Sequence, residues 1–280
     1  MLTAINAWSF PAEFSIEQQL AAAASAGFAG IELTIAADGP LSFDSPLEAC
    51  AEHAHRARNL NLHIVGLASG DFWHTNYAAP EESTRQRAVD LTLRMLDRAV
   101  ALAAETILVV PAVVGKATEP QPRISYADAL QRSFDALCRL RPEVESRGVN
   151  IALENVWNRF LLSPFEAADL LDRVNSPHIG WYFDTGNVMP YGYPQDWILT
   201  LGGRIKAVHV KDYDLRCTGS AGFCPLGEGS VDWPQVIGAL RQVGYDGPLT
   251  YEGGGEPVEI RRRLDAIING RPIAQREESA

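Results

Sequence analysis

Four side chains that can hold a metal ion stand at the ends of apolar, strand-like runs in the second half of this 280-residue chain. These side chains are Glu154, Asp184, His209 and Glu252. In a closed parallel barrel the C-terminal ends of the strands converge on one face, and neighbouring strands lie about 4.8 Å apart. We therefore expect the four side chains to meet around a single cation.

Three carboxylates and one imidazole form a mainly hard donor set, which suits Mn²⁺, Mg²⁺ or Co²⁺ and can accept Zn²⁺ or Fe²⁺. If each side chain gives one bond, a six-coordinate ion keeps room for water or for adjacent substrate oxygens, such as the carbonyl and neighbouring hydroxyl of a ketose. A metal that polarises this carbonyl acidifies the adjacent C–H group.

Glu154 and Glu252 come from opposite ends of the arc of strands that carries the four side chains. One glutamate could therefore remove a proton from a bound sugar as general base, and the other could return it. Return to the opposite face of an enediolate would epimerise the carbon, whereas movement to a neighbouring carbon would interconvert aldose and ketose. The sequence leaves both outcomes open.

The elements that must position these groups follow a repeating pattern. Short apolar runs alternate with longer helical patterns, which is typical of βαβ units. Eight such units predict an α/β protein with a single (β/α)8 TIM barrel over residues 1–280, with residues 270–280 as a flexible C-terminal tail. The predicted strands are Ala4–Phe10, Gly30–Thr34, Leu62–Leu67, Thr106–Val110, Asn150–Glu154, Gly180–Asp184, Lys206–His209 and Pro248–Glu252.

Cap residues mark several of the intervening helices. Ser15 with Gln18, and Ser163 with Glu166, have the spacing of capping boxes, and Pro164 fits the first helical position. The predicted helices begin or lie at Ser15, at Ser45-Pro46, over Glu81–Ala103, over Ser125–Arg147 with a kink or an end at Pro142, at Ser163, around Trp197, from Asp232 to Gly244 and over Glu256–Asn269.

Alternation along the sixth strand predicts that Tyr182 and Asp184 point into the barrel, whereas Trp181 and Phe183 face the helices. An isolated carboxylate inside the barrel is costly unless a cation or a donor compensates it. A metal would do so. The competing interpretation is that each acid caps a loop or pairs with a basic side chain, and the candidates for pairing are Arg159, Lys211 and Arg216.

Further substrate-binding candidates lie at the same end of the barrel. Trp8 and Trp157 belong to a group of aromatic residues in loops that should surround the metal, and His74 shares this rim. Glu32 ends the second strand and either binds substrate or pairs with a neighbouring barrel residue. Lys211 follows His209 closely and is also a candidate.

Asp212, next to Lys211, could orient His209 or help a second metal. Gly253–Gly255, before the last helix, could accept a phosphate at the helix N-terminus, and the sequence leaves open whether the sugar is free or phosphorylated.

Composition excludes several classes of protein. A net charge of −11 without clustered Lys and Arg argues against a nucleic acid partner. The chain has no apolar run near the roughly 20 residues that span a bilayer, and its start does not resemble a secretory signal. Four widely spaced cysteines are expected of a reduced, cytoplasmic protein. We expect no membrane association, and a homo-oligomeric assembly is left open.

Six runs of the chain together resemble the xylose-isomerase-like superfamily, over nearly all of residues 1–270. Within it, the chain is most similar to sugar phosphate isomerases/epimerases and ketose 3-epimerases. The runs are Ala29-Gly-Ile-Glu-Leu33, Leu153-Glu-Asn-Val-Trp-Asn-Arg-Phe-Leu-Leu-Ser-Pro164, Phe183-Asp-Thr-Gly-Asn187, Val208-His-Val-Lys-Asp212, Pro225-Leu-Gly-Glu-Gly229 and Tyr251-Glu-Gly253.

The resemblance implies that the four strand-end side chains are metal ligands and that Glu154 and Glu252 are also the catalytic acid/base pair. It further implies that Arg216 contacts substrate oxygens. Asn187, itself a substrate-binding candidate, departs from the pattern, because many relatives carry histidine there, and the substrate or metal contact of that imidazole is replaced or missing in this chain.

The function expected from these features is a divalent-metal-dependent epimerase or isomerase of a ketose or ketose phosphate, acting by proton transfer through an enediolate at the metal. Three alternatives are a metal-dependent dehydratase of an inosose-like ketone, a DNA-repair endonuclease of the same superfamily acting at abasic sites, and a barrel that binds a sugar without turning it over. The acidic charge and Asn187 argue against the endonuclease.

Overall fold

Eight parallel strands close into a barrel, as the alternating pattern of the sequence predicts. The computed structural model of the chain describes residues 1–116 and 119–273. The strands follow one another around the barrel in the order β1-β10-β7-β6-β5-β4-β3-β2, and β1 pairs with both β10 and β2. They are β1 (Leu2–Asn6), β2 (Gly30–Thr34), β3 (His63–Ala68), β4 (Thr106–Val109), β5 (Asn150–Glu154), β6 (Ile179–Asp184), β7 (Ile205–Val210) and β10 (Pro248–Tyr251).

Helices connect successive strands and complete a (β/α)8 TIM barrel. They are α1 (Ile16–Ser25), α2 (Leu47–Asn59), α3 (Glu82–Leu102), α4 (Tyr126–Arg147), α5 (Pro164–Val174), α6 (Thr185–Val188), α7 (Pro194–Leu201), α8 (Trp233–Gln242) and α9 (Pro257–Ile268). Two short strands, β8 (Asp212–Tyr213) and β9 (Phe223–Cys224), form an antiparallel pair outside the barrel in the connection that follows β7.

The predicted strand bounds agree with the structure for β2 and β5, and most others shift by one or two residues. The first prediction is wrong at its end, because the chain leaves the barrel after Asn6 and residues Ala7–Ser9 form a 3₁₀ helix. The Asn6 side chain accepts a hydrogen bond from the Trp8 amide and so starts this turn. This capping interaction competes with extension of the strand.

Both predicted capping boxes, at Ser15 and at Ser163, are confirmed. The helix expected to open at Ser45-Pro46 begins one residue later, with Pro46 as its N-cap. Pro142 does not end α4, which continues to Arg147. Its position is exposed, so water can reach the carbonyl that loses its amide partner.

Alternation in β6 is confirmed. The rings of Trp181 and Phe183 lie 6.2 Å and 6.5 Å from that of Trp197 in α7, on the helix side of the sheet. On the other side, inside the barrel, the Tyr182 hydroxyl donates to Glu32 Oε1 at 2.9 Å. The aromatic pair on the outside therefore packs the strand against its helix and aims Asp184 at the barrel interior.

Asp212 organises the long connection between β7 and α8. Its buried carboxylate accepts hydrogen bonds from the amides of Tyr213, Gly227 and Val231 at 2.8, 2.7 and 3.3 Å. It also accepts one from the Trp233 indole N–H at 3.0 Å. These donors tie β8, the start of α8 and the segment between them to a single side chain.

The roles predicted for Asp212 were wrong, because its oxygens are engaged by these four donors. The second ring nitrogen of His209 contacts Glu32 instead. Asp212 is a structural residue of the connection.

The last described residues continue past α9. The Arg271 amide donates to the Ala266 carbonyl at 2.8 Å, and the Ile273 side chain packs against Gly227. The predicted flexible tail over residues 270–280 lies mostly outside the described residues and stays a prediction. Within residues 1–116 and 119–273, none of the helices is both long enough and apolar enough to cross a membrane.

The capping box of α5 gives a stability prediction. Ser163→Ala removes the oxygen that accepts from the Glu166 amide, so we expect the free energy of unfolding to fall by about 1 kcal/mol in a urea titration. Ser163→Asp keeps an acceptor at the same position and should retain most of the stability. Equal losses in both variants would contradict the capping role.

Asp212 gives a second prediction. Asp212→Ala leaves buried donors without an acceptor, so we expect the free energy of unfolding to fall by about 3 kcal/mol and the segment 213–231 to become sensitive to limited proteolysis. Asp214→Ala, two residues away, removes an ion pair with the exposed Arg216 and one hydrogen bond from the Arg216 amide, both at the surface, and should change the two measurements much less. Similar behaviour of the two variants would show that Asp212 does not organise the connection.

Candidate metal centre

The four strand-end side chains meet at the C-terminal mouth of the barrel. Glu154 ends β5, Asp184 ends β6, His209 lies in β7 and Glu252 directly follows β10, and these four strands are consecutive around the barrel. Asp184 and His209 face each other in register across β6 and β7. One ligand atom from each of the four residues lies within 4.8 Å of the others.

The imidazole of His209 is completely buried and divides the site into two sides. Its Nδ1 lies 3.1 Å from Glu154 Oε1, 2.9 Å from Glu252 Oε2 and 4.0 Å from Asp184 Oδ2. Its Nε2 lies 2.7 Å from Glu32 Oε2. A carboxylate on the second nitrogen is the usual way that proteins orient a metal-ligating histidine, which leaves Nδ1 as the candidate ligand.

Glu32 pairs inside the barrel, which is one of its two predicted roles, and a substrate contact by this residue stays a prediction. The side chain is completely buried. It bonds to Tyr182 and His209, and it also accepts from the Asn6 amide group. Burial, together with the negative charge of Glu32, raises the pKa of Tyr182 well above its usual value, which keeps the hydroxyl as a donor.

Asp184 has one oxygen engaged by the backbone and one aimed at the cluster. Oδ1 accepts from the Asn187 amide at 2.7 Å and caps the short helix α6. Oδ2 is buried and accepts no well-aligned hydrogen bond, although the Lys211 ammonium lies 3.0 Å away. A buried carboxylate oxygen in this situation, beside three further donors, fits a divalent cation.

Asn155 fixes the backbone that carries Asp184, a role that sequence reasoning missed. Its Oδ1 accepts from the Asp184 amide at 2.9 Å and from the Trp181 indole at 3.1 Å, while its Nδ2 donates to the Asp184 carbonyl at 2.9 Å. The side chain thereby bridges the ends of β5 and β6. Its position directly after Glu154 was the only signal available.

Lys211 contributes a cation to the cluster. Its Nζ lies 3.0 Å from Asp184 Oδ2 and 2.8 Å from Glu252 Oε2, and 5.5 Å from the centre of the Phe223 ring. Burial opposes the charge, but the surrounding carboxylates outweigh it and hold the pKa of Lys211 well above its usual value. The competing interpretation, that the acids pair with a basic side chain, is thus confirmed for two of the three carboxylates.

The pKa values of the two glutamates are shifted in opposite directions from their usual value. Burial raises the pKa of Glu154 to about 7, although hydrogen bonding to His209 works against this rise. Burial acts on Glu252 in the same sense, but Lys211 and His209 outweigh it and hold the pKa of Glu252 well below its usual value. Two carboxyl groups separated in this way suit the roles of acid and base.

Burial disfavours the charged form of His209, but the carboxylates of Glu32 and Glu252 outweigh it and raise the pKa of the imidazole well above its usual value. A divalent cation at the cluster would add positive charge and favour the deprotonated form of each ligand.

A cavity of about 180 Å³ opens above the cluster, and Glu154 and Glu252 both reach its wall. The predicted residues Trp8, Trp157, Asn187 and Lys211 also line it. The remaining lining residues are Ser69, Trp73, Leu108, Val110 and Val156.

Trp157 is held in place from two directions. Its ring stacks on Phe223 with centroids 5.2 Å apart, and its indole N–H donates to the Asn187 carbonyl at 2.9 Å. Phe223 in β9 was missed by sequence reasoning, since the connection after β7 has no periodic pattern.

The structure does not bring Arg216 or His74 to the cavity. The Arg216 side chain is 85% exposed and binds Asp214 through its Nε and Nη2 groups, which is a surface ion pair. His74 ends the 3₁₀ helix Gly70–Trp73, and its side chain is exposed. Neither residue lines the cavity above the cluster or the larger cavity that shares Trp8, Lys211 and Glu252 with it. The structure therefore gives no support to a substrate contact by either residue, and both contacts stay predictions.

Comparison with known proteins agrees with the fold. Residues 20–270 match the family described as xylose isomerase-like TIM barrel. An L-ribulose 3-epimerase from Methylomonas sp. (strain DH-1) is 28% identical over 241 residues, which are 83% of this chain and 76% of that protein. A ketose 3-epimerase from Arthrobacter globiformis is likewise 28% identical over 83% of this chain and 75% of its own length.

Among solved structures, that of the IOLI protein with a bound zinc atom superimposes with a TM-score of 0.78, covering 98% of this chain and 100% of that one at 16% identity. At this identity the likeness concerns the fold. With the family match extending over most of its length, the chain belongs to the xylose isomerase-like TIM barrel family.

Proposed function

We propose that this protein is a divalent-metal-dependent isomerase that epimerises a ketose next to its carbonyl carbon. The observation that carries the proposal is the position of Glu154 and Glu252. Both carboxylates lie beside His209 Nδ1, at 3.1 and 2.9 Å, and both line the same cavity. They approach it from the two outer strands of the four that carry the cluster.

Two comparisons support the choice of epimerisation over aldose–ketose isomerisation. Both curated relatives named above are 3-epimerases, one of L-ribulose and one of ketoses. A 3-epimerase exchanges the hydrogen on C3 from one face to the other without moving the carbonyl. That reaction requires two proton-carrying groups on opposite sides of the sugar, and the origin of Glu154 and Glu252 on the two outer strands of the cluster supports these two residues for the roles.

The residues of the cluster that would hold the metal are Glu154, Asp184, His209 and Glu252. When bound, a divalent ion would polarise the substrate carbonyl and so acidify the C3–H bond. The oxygen-rich donor set supports Mn²⁺, Mg²⁺ or Co²⁺ as the cation. The zinc atom bound by the structurally similar IOLI protein supports a divalent metal in a barrel of this fold without choosing among these ions.

One of the two glutamates, when ionised, accepts the C3 proton, while the C3–H electron pair forms the C2–C3 double bond and the carbonyl oxygen takes the negative charge, which yields an enediolate. The other glutamate, when protonated, delivers a proton to the opposite face of C3. The reverse reaction exchanges the two roles. Trp8 and Trp157 flank the cavity, where their rings can cover the C–H faces of a sugar.

Solvent deuterium exchange tests this function. We expect the Mn²⁺-loaded protein to introduce deuterium at C3 of at least one ketose in a panel of pentuloses and hexuloses in D₂O, as measured by NMR. Glu154→Gln and Glu252→Gln remove a proton acceptor each and should slow the exchange by about 10²-fold or more.

Glu48→Gln, at an exposed position in α2, is the matched control and should exchange at the rate of the native protein. Because both glutamates are also candidate ligands, Mn²⁺ binding is measured for each variant, and exchange is compared at saturating metal. Exchange in both variants at the native rate would refute the acid/base assignment. Absence of exchange across the panel would refute the epimerase, and loss of water seen by mass spectrometry would point to a dehydratase.

Lys211 gives a prediction on metal affinity. Its ammonium contacts Asp184 Oδ2 and Glu252 Oε2, which are the oxygens that face the cluster, so it repels a divalent cation and competes for the same atoms. We expect Lys211→Gln to lower the Kd for Mn²⁺ by about tenfold in isothermal titration calorimetry.

Lys206→Gln removes an equal charge from the opposite end of β7 and is the matched control, with an expected Kd close to the native value. Asp184→Asn should weaken binding instead. A Kd that rises in Lys211→Gln would contradict the competition.

A further inference from the structure

The cavity above the cluster continues into a larger one. The inner cavity, about 180 Å³, is smaller than the roughly 300 Å³ at which pockets for drug-sized ligands begin, so it is suited to one small sugar unit. An outer cavity of about 520 Å³ shares three walls with it, namely Trp8, Lys211 and Glu252. A ligand that fills the inner cavity can therefore extend outward past Trp8 without a change of fold.

The outer cavity is lined mainly by aromatic and small residues. It lies between the β8–β9 pair and the segment that follows β10. Its walls beyond the shared residues are Asp212, Phe223, Cys224, Pro225, Tyr251, Gly253 and Gly254. The carboxylate of Asp212 is engaged by four donors, so this part of the cavity presents no unpaired charge of its own. Such a surface is suited to a neutral sugar ring.

A third cavity, about 920 Å³, continues from the outer one through Pro225, Tyr251 and Gly254, and it has a negative lining. Glu228, Glu256 and Glu259 reach its wall, with Arg263 as the single cation.

Arg263 does not offer a free charge to a ligand. Its Nε and Nη1 lie 2.7 Å from Glu259 Oε1 and 2.6 Å from Glu228 Oε1. An anionic group entering from the inner cavity would meet carboxylates at the N-terminus of α9, where a phosphate was considered from the sequence. This arrangement disfavours a phosphorylated substrate.

From these cavities we infer that the outer cavity is a subsite for a neutral glycosyl group, and that the substrate is a keto-sugar glycoside. The inference rests on the proposed function for the reacting unit, which occupies the inner cavity. It adds the chemical class of the remainder of the substrate.

Gly254 offers a direct test. A Cβ atom at this position would meet no other atom within 4 Å, and its φ lies outside the positive range, so a phenylalanine can be accommodated and would fill the outer cavity. Gly203→Phe, at a position that is equally open and remote from the cavities, is the matched control for the introduction of a large side chain.

The experiment compares D-fructose with maltulose and isomaltulose, which carry a glucosyl group on O4 and O6 of the fructose unit, and with fructose 6-phosphate. We expect kcat/KM for deuterium exchange to be about tenfold higher for at least one keto-disaccharide than for fructose, and lower for the phosphate than for fructose. Gly254→Phe should reduce the preference for the disaccharide over fructose by about tenfold, and Gly203→Phe should preserve it.

Equal effects of Gly254→Phe on fructose and on both disaccharides, or a preference for the phosphate, would overturn the inference. Calorimetric titration of the same four sugars into the Mn²⁺-loaded native protein and both variants separates the two proposals. If no sugar undergoes deuterium exchange, but the disaccharides bind and Gly254→Phe weakens that binding, the epimerase is refuted and the subsite is upheld. If neither disaccharide binds more tightly than fructose, the subsite is refuted.

Discussion

Mutual repulsion among buried carboxylates is the constraint on which this site depends. Glu32, Glu154, Asp184 and Glu252 all lie around the single imidazole of His209, at distances from 2.7 to 4.0 Å. Such a concentration of negative charge away from water is unfavourable unless cations and donors compensate it.

The protein itself supplies two kinds of compensation for this charge. Below the imidazole, hydrogen bonds from Tyr182 and Asn6 hold Glu32. Above it, the ammonium of Lys211 bridges Asp184 and Glu252. A divalent cation at the proposed site would be a third contribution, for which the cluster has suitable donors. The site is thus an electrostatic balance in which each group sets the protonation of its neighbours.

Much of the fold and the cluster could be predicted because the signals are local. The alternation of β6 depends only on neighbouring residues, and it placed Asp184 inside the barrel correctly. Strand ends follow from apolar runs and caps, so the four candidate ligands could be identified before their contacts were known. Whether they bind metal stays a prediction.

What could not be predicted depends on closure of the barrel or on irregular backbone. Glu32 and His209 are 177 residues apart in sequence, and their contact exists only because β2 and β7 face each other across the interior. Asn155 and Asp212 act by accepting hydrogen bonds from amides in loops and at strand ends. These segments have no periodic pattern of apolar and polar residues from which such contacts could be predicted. Arg216 was assigned by resemblance, and its local pairing with Asp214 in an exposed loop was not foreseen.

The β8–β9 pair allows the shape of the cavity mouth to change independently of the packing of the barrel. It forms part of the outer cavity through Phe223 and Cys224, yet it is held by Asp212 and lies outside the closed sheet. Replacements at its exposed tip can alter which molecules fit the mouth while the barrel strands and their charged centre keep their packing. Substitutions in this one short connection could therefore change substrate specificity among related proteins during evolution, at little cost to the stability of the barrel.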